Sequence, residues 1–268
     1  MADAAYKAFI VEGEAREPLI IDNISKIFFS HKNFKIITLP AGQNIYMLWK
    51  KLDEDDFDTD IIEVLREDHE ELAEQLDGLG RDDFSEVYLF FDYDGHQNNL
   101  SINDDENVIE KMLISFNNET ENGKLYISYP MVEALRDFEP EICGKGENCY
   151  IAIDEIGNYK TVSAERAIYP QFKNYDFDIW KEAIDVFSMK ISCLMGRSDL
   201  MDYELYTEKV DPYEIFKLQE NEIQKHRVFI LSAFPEFLVD YFGVKLWRKC
   251  ARHRNRLETQ ACKNEADE

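Results

Sequence analysis

Two short apolar runs of this chain end in carboxylates, and that placement suggests chemistry. "KAFIVEGE" (7–14) closes on Glu12 and Gly13, and "EVYLFFDYD" (86–94) closes on Asp92 and Asp94. In an extended strand residues i and i+2 share a face, so Asp92 and Asp94 can converge while Tyr93 points away. Three carboxylates crowded at one sheet edge repel one another unless a cation sits between them. Hard oxygen donors in an open arrangement suit Mg2+ or Mn2+, which keep several waters and then take substrate phosphate. A cation held by Asp92 and Asp94 would polarise a phosphoryl oxygen and help form hydroxide. Glu12 is then placed to move a proton at the attacking water or the leaving oxygen. Taken alone, an Asp-x-Asp at a strand end is equally well read as a helix cap or turn.

Around these residues stand further candidates. Arg16 follows the first turn, where it can pair with phosphate or steady Glu17. His96 is a candidate phosphate or base contact, or a local hydrogen-bonding residue of the loop. Glu133 is a candidate ligand, or simply the first turn of a helix. Cys143 and Cys149, separated by five residues, lack the partners of a zinc site.

The elements that would position these groups alternate. Strands are expected at 7–14, 34–40, 86–94 and 124–130. Between them, helices are expected at 17–29, where Pro18 suits a first helical position, from 44 to 52, and at 104–116. Ile61, Leu65, Leu72 and Leu76 are spaced as the inner face of one amphipathic helix. A short helix follows at 131–138. Alternating strands and helices imply an α/β fold with a parallel, wound sheet, whose functional groups gather at the carboxyl ends of its strands. The second half reads as mainly helical, with periodic segments at 177–195 and 211–231 and an aromatic-rich run at 231–243.

The chain has 268 residues and a net charge of −25, which argues against a generic nucleic-acid binder. The charge is uneven. Residues 53–83 hold fifteen acidic and two basic side chains, a local charge of −13. Residues 244–257 hold Lys245, Arg248, Lys249, Arg252, Arg254 and Arg256 with no acid, so one stretch can still meet phosphate. No run reaches the roughly 18 apolar residues of a membrane span. The N-terminus lacks the basic start and cleavage site of a signal peptide, and five scattered cysteines suit reduced thiols, so a cytoplasmic location is expected.

"FIVEGEAREP", "FFDYDGH" and "ISYPMVEAL", in that order and at strand ends, resemble the Toprim domain, the metal-dependent catalytic fold of topoisomerases, primases and a set of nucleases. They are similar in particular to the RloB-like Toprim proteins of bacterial defence loci. The motifs that carry the likeness are Glu12, Gly13, Glu14, Glu17 and Pro18; then Asp92, Asp94 and His96; then Ser128, Pro130 and Glu133. The resemblance covers roughly residues 5 to 140 and implies a Toprim-like (Rossmann-like) parallel sheet flanked by helices over residues 1–140, into which the acidic helical segment at about 53–83 is inserted, and the mainly helical region read above takes up 141–268. It implies Glu12 as general acid or base, Asp92 and Asp94 as Mg2+ ligands, and Glu17 as the further acid of the metal set. Two-metal Toprim nucleases often carry that further acid four residues after the first Glu; here that position is Arg16, and Glu17 follows at five. The expected function is Mg2+-dependent cleavage of DNA or RNA in anti-phage defence, with a protein partner or a second copy supplying basic surface. Two other readings stand beside it. "FFDYDG" is also similar to the first motif of haloacid-dehalogenase-type phosphatases, although that motif normally lies on the first strand. The acidic segment also suits a non-catalytic interaction protein or DNA mimic on a degenerate Toprim core.

Overall fold

The computed structural model describes residues 6–42, 45–93, 108–138 and 149–266, with the backbone alone for Ile45 and for 252–266. The chain divides into two compact units, Met1–Ile127 and Ser128–Glu268.

The first unit is built on a five-stranded sheet. β1 (Tyr6–Val11) runs into α1 (Arg16–Ile24), which continues as one π-helical turn, Ser25–Phe29, before β2 (Lys35–Pro40). α2 (Ile45–Asp53), α3 (Ile61–Asp68) and α4 (Glu70–Gln75) precede β3 (Phe84–Asp92). α5 (Val108–Ser115) then leads to β4 (Asn117–Asn118) and β5 (Gly123–Ser128). The strand order is β2-β1-β3-β5-β4, with β1 parallel to both β2 and β3. β4 turns back antiparallel to β5 at the sheet edge, a short hairpin that the apolar pattern does not announce. Ala8 to Val11 and Val87 to Phe91 are buried without alternation. That is the mark of parallel strands covered on both faces. α2 and α5 lie together, with Trp49 Nε1 donating to Ser115 Oγ at 3.3 Å.

The acidic stretch departs from its expected form. Ile61, Leu65, Leu72 and Leu76 are all buried, as their spacing predicts, but the run is split into two helices rather than one, with Leu76 just past the end of the second. The break is His69, whose φ of −137° and ψ of 112° are extended. Asp68 and His69 occupy the place where a continuous apolar stripe needs a hydrophobic side chain, so nothing there favours an unbroken helix. Asp60 caps α3 by accepting from the amides of Ile62 and Glu63. Lys51 on α2 pairs with Asp68, and Gln75 Nε2 donates to Thr38 O of edge strand β2 at 3.3 Å. The insert therefore lies against the sheet's open edge.

The second unit is mostly helical. After Ser128 come a cis Tyr129–Pro130 peptide and a 3-10 turn, Val132–Arg136. β6 (Tyr150–Ala152), α6 (Tyr159–Arg166), α7 (Phe177–Leu194), α8 (Tyr203–Lys209), α9 (Pro212–Ile223), β7 (Arg227–Phe229) and α10 (Ala233–Ala266) follow, and α10 packs on α7. The helical pattern expected to run from 211 to 231 stops at Ile223. His226, at φ 62°, turns the chain, and Arg227–Phe229 pairs antiparallel with β6. The Gln219 amide donates to Phe229 O at 2.7 Å and accepts from Phe229 N–H at 3.0 Å, standing in for a neighbouring strand. A buried polar network lies in the same unit. Tyr159 Oη donates to Asp137 Oδ2 at 2.7 Å, and Lys190 Nζ donates to Asp137 O at 3.0 Å. Burial, and then the Asp137 charge, push the Tyr159 phenol well above its ordinary pKa.

Arg81 secures the entry to β3. Its guanidinium donates to Phe84 O at 2.7 Å and to Glu121 O at 2.6 and 3.1 Å, tying the start of β3 to the β4–β5 turn. Burial lowers its pKa, and Asp60 and Asp82 partly offset that shift. Arg81→Met strips these carbonyls of their donor and is expected to cost about 2 kcal/mol. Urea unfolding measures this, and Arg81→Lys, which lacks the fork, should recover less than half of the loss.

Candidate functional site

β1 and β3 are adjacent and parallel, and Val11 is in register with Phe90. Glu12, the first residue beyond β1, and Asp92, the last residue of β3, therefore leave the sheet side by side at its carboxyl edge. The two are hydrogen-bonded: the Asp92 backbone N–H donates to Glu12 Oε2 at 3.2 Å. β3 ends at Asp92, two residues short of the expected strand end, and Tyr93 beyond it is buried. Burial pushes the Tyr93 phenol up to about 12, so it stays neutral at physiological pH. Asp94 and His96 lie outside the described residues.

The β1–α1 loop holds the rest of the first motif. Glu17, in the first turn of α1, is only 7% exposed. Its Oε1 accepts from the Gly13 N–H at 3.0 Å, so the carboxylate folds back onto its own loop. A carboxylate at a helix N-terminus is favoured by the exposed amides there. Gly13 leaves the space for this. A Cβ at position 13 would stand 2.8 Å from Glu17 Oε2 and 2.9 Å from Oε1. Arg16, the first residue of α1, is half-buried and follows this loop directly.

The neighbouring loop continues the ladder. Ala41 N–H donates to Val11 O at 2.8 Å, and Gly42 N–H donates to Glu12 O at 3.2 Å. Glu12 is thus fixed at both ends, its carbonyl by Gly42 and its carboxylate by Asp92. Sequence reading missed Gly42, and its only signal was a lone glycine after a strand-ending proline.

Glu133 belongs to the second unit, where it sits fully buried in the 3-10 turn. The basic stretch lies on α10, beyond a break at Gly243. Lys245, Arg248 and Lys249 are exposed, while Leu246 and Cys250 are buried. Trp247 packs against Tyr206 with ring centroids 4.8 Å apart. The helical backbone continues through Arg252, Arg254 and Arg256, whose side chains lie outside the described residues. Cys149 is buried and forms no disulfide, and Cys143 is outside the described residues.

In kind, the donors at the β1–β3 edge fit a hard divalent cation, since both described side chains are carboxylates from adjoining strand ends. Among the described residues no three His, Cys, Asp or Glu side chains are grouped to hold a metal. Among them, too, no helix is long and apolar enough to cross a membrane. No family model, no curated protein and no solved structure matches the chain.

The Glu17 hydrogen bond is directly testable. Glu17→Gln keeps an oxygen acceptor for Gly13 and should change stability by less than about 0.5 kcal/mol, whereas Glu17→Ala should cost about 1–2 kcal/mol. Gly13→Ala, which displaces the carboxylate, should cost at least as much as Glu17→Ala. Thermal and urea unfolding of the three variants decides it.

Proposed function

We propose that the chain is a Toprim-like nuclease that cleaves nucleic-acid phosphodiester bonds with Mg2+ or Mn2+, in the manner of the RloB-like defence proteins its motifs resemble. The observation that carries this reading is the meeting of Glu12 and Asp92 at the carboxyl edge of adjacent parallel strands, joined by the Asp92 N–H at 3.2 Å. Open α/β sheets bind and act on ligands at that edge. Asp92 and Asp94 would hold the cation, with Glu12 beside them. When bound, the cation would polarise a phosphoryl oxygen and favour hydroxide at the attacking position. Glu12 accepts or returns the proton of the attacking water or leaving oxygen, and its two anchors hold the carboxylate in one orientation. Glu17, already engaged by Gly13, serves the loop before it serves a metal. Lys245, Arg248 and Lys249, continued by Arg252, Arg254 and Arg256, are the surface that would meet phosphate.

A second reading has an observation of its own. Glu67, Glu70, Glu71 and Glu74 are all exposed on α3 and α4, an anionic face suited to a basic protein. It makes the chain an acidic interaction protein that does not cut nucleic acid.

Cleavage of DNA and RNA with Mg2+ and with Mn2+, wild type beside Glu12→Gln and Asp92→Asn, separates the two. The nuclease reading expects cleavage that falls by at least about 100-fold in each variant with the fold intact. An Asp92→Asn, Asp94→Asn double variant should also lose metal binding by calorimetry. Wild-type protein that cuts neither substrate, or a double variant with unchanged metal affinity, overturns it.

The basic helix has its own check. Neutral glutamines at Lys245, Arg248 and Lys249 should weaken binding to a labelled oligonucleotide and flatten its salt dependence. The log–log slope should fall by nearly one for each phosphate that is no longer neutralised. Binding and slope that stay at wild-type values make the stretch a solvated helix face.

A further inference from the structure

The acidic insert carries one histidine, and it stands at the insert's one break. His69 ends α3 and starts α4 in extended conformation. Its imidazole rests on the loop that holds Glu12. A Cβ built on Gly42 would lie 3.3 Å from His69 Cε1 and 3.6 Å from Glu14 Oε1. Gly42 itself sits at φ +59°, a left-handed conformation that glycine adopts at no steric cost, and its N–H donates to the Glu12 carbonyl. The His69 ring therefore fills the space that a side chain at position 42 would need, beside the backbone that anchors the Glu12 carbonyl, while the Asp92 N–H holds the Glu12 carboxylate.

Two features make this more than ordinary packing. First, the segment carries a local charge of −13 and lies near an edge rich in carboxylates, so it needs a specific attachment to stay there. Gln75 on Thr38 O and Lys51 on Asp68 fasten its flanks, and His69 is the attachment that reaches the Glu12 loop. Second, the His69 Nε2 is buried with no hydrogen-bond partner among the described residues.

We infer that His69 is a positioning residue for Glu12: by packing on Gly42 it couples the acidic insert to the orientation of the proposed catalytic carboxylate. The catalytic consequence rests on the proposed function, while the coupling of His69 to the Glu12 loop does not. Of the ring atoms Cε1 stands nearest the Cβ position of Gly42, with Nδ1 next at 3.9 Å, so the role assigned to the ring is one of shape, and a phenyl ring can fill it.

The experiment is residue-resolved amide exchange by NMR on the full-length chain, with His69→Ala, His69→Phe and wild type compared, alongside cleavage kinetics. In His69→Ala the Gly42 and Asp92 amides should exchange about tenfold faster or more, while Phe90 in the middle of the sheet keeps its wild-type rate. In His69→Phe both amides should return to within about twofold of wild type. Cleavage should follow the same order, with kcat reduced about tenfold in His69→Ala at nearly constant KM and restored in His69→Phe. Wild-type exchange at Gly42 and Asp92 in His69→Ala overturns the inference, as does a His69→Phe variant no better than alanine. Where the alanine variant is too unstable to measure, exchange at Gly42 or Asp92 in His69→Phe that exceeds wild type by more than about twofold overturns the inference by itself. Wild-type protein that cuts no nucleic acid defeats the proposed function, and the exchange rates still settle the role of His69.

Discussion

The parallel pairing of β1 between β2 and β3 is the constraint on which the site depends. β1 and the second half of β3 are buried on both faces, and a buried strand must satisfy every backbone donor and acceptor through its neighbours. Pairing in this register leaves Glu12 and Asp92 at one edge, where the ladder runs out and side chains take over. The Glu12 carboxylate accepts the last amide of β3, and its carbonyl accepts from the loop after β2. The carboxylate proposed for proton transfer is thus also the plug that closes the ladder. This gives it the fixed orientation that proton transfer needs.

Glu17 shows the same economy one turn away. Its buried carboxylate meets the Gly13 amide, so the first motif's second acid organises the loop that presents its first. The requirement for glycine at position 13 follows from the space that carboxylate occupies. The acidic insert obeys a different balance. Its apolar half is buried as firmly as any core segment, and most of its charges remain in water, where they repel one another weakly. It is fastened by polar groups to the sheet edge and by the shape of one ring to the loop beside it.

In the second unit, two buried polar side chains, Asp137 and Gln219, organise the backbone and side chains around them. Asp137 collects Tyr159 Oη, Arg166 and, at its carbonyl, Lys190. Gln219 supplies β7 with the hydrogen bonds a further strand would have given. On α10 the separation is sharp: Leu246 and Cys250 are buried, and Lys245, Arg248 and Lys249 remain in solvent. That separation keeps a concentrated positive face on a chain whose net charge is −25.

Local pattern alone determined the three leading strands, the helices between them and the carboxylates at the strand ends, because continuous apolar runs and helical spacing are properties of neighbouring residues. It also placed Ile61, Leu65, Leu72 and Leu76 in the core. Only tertiary structure decided that they are divided by a break at His69, whose ring comes to stand beside the Cβ position of Gly42. It decided that Val228 and Phe229 form a strand, because an apolar run at the end of a helical pattern reads the same until β6 and Gln219 are beside it. It also decided the work of Glu17 and Gly42. Their hydrogen bonds reach backbone groups presented by the loops at the strand ends, and spacing along a chain carries no record of which amide a folded sheet leaves open.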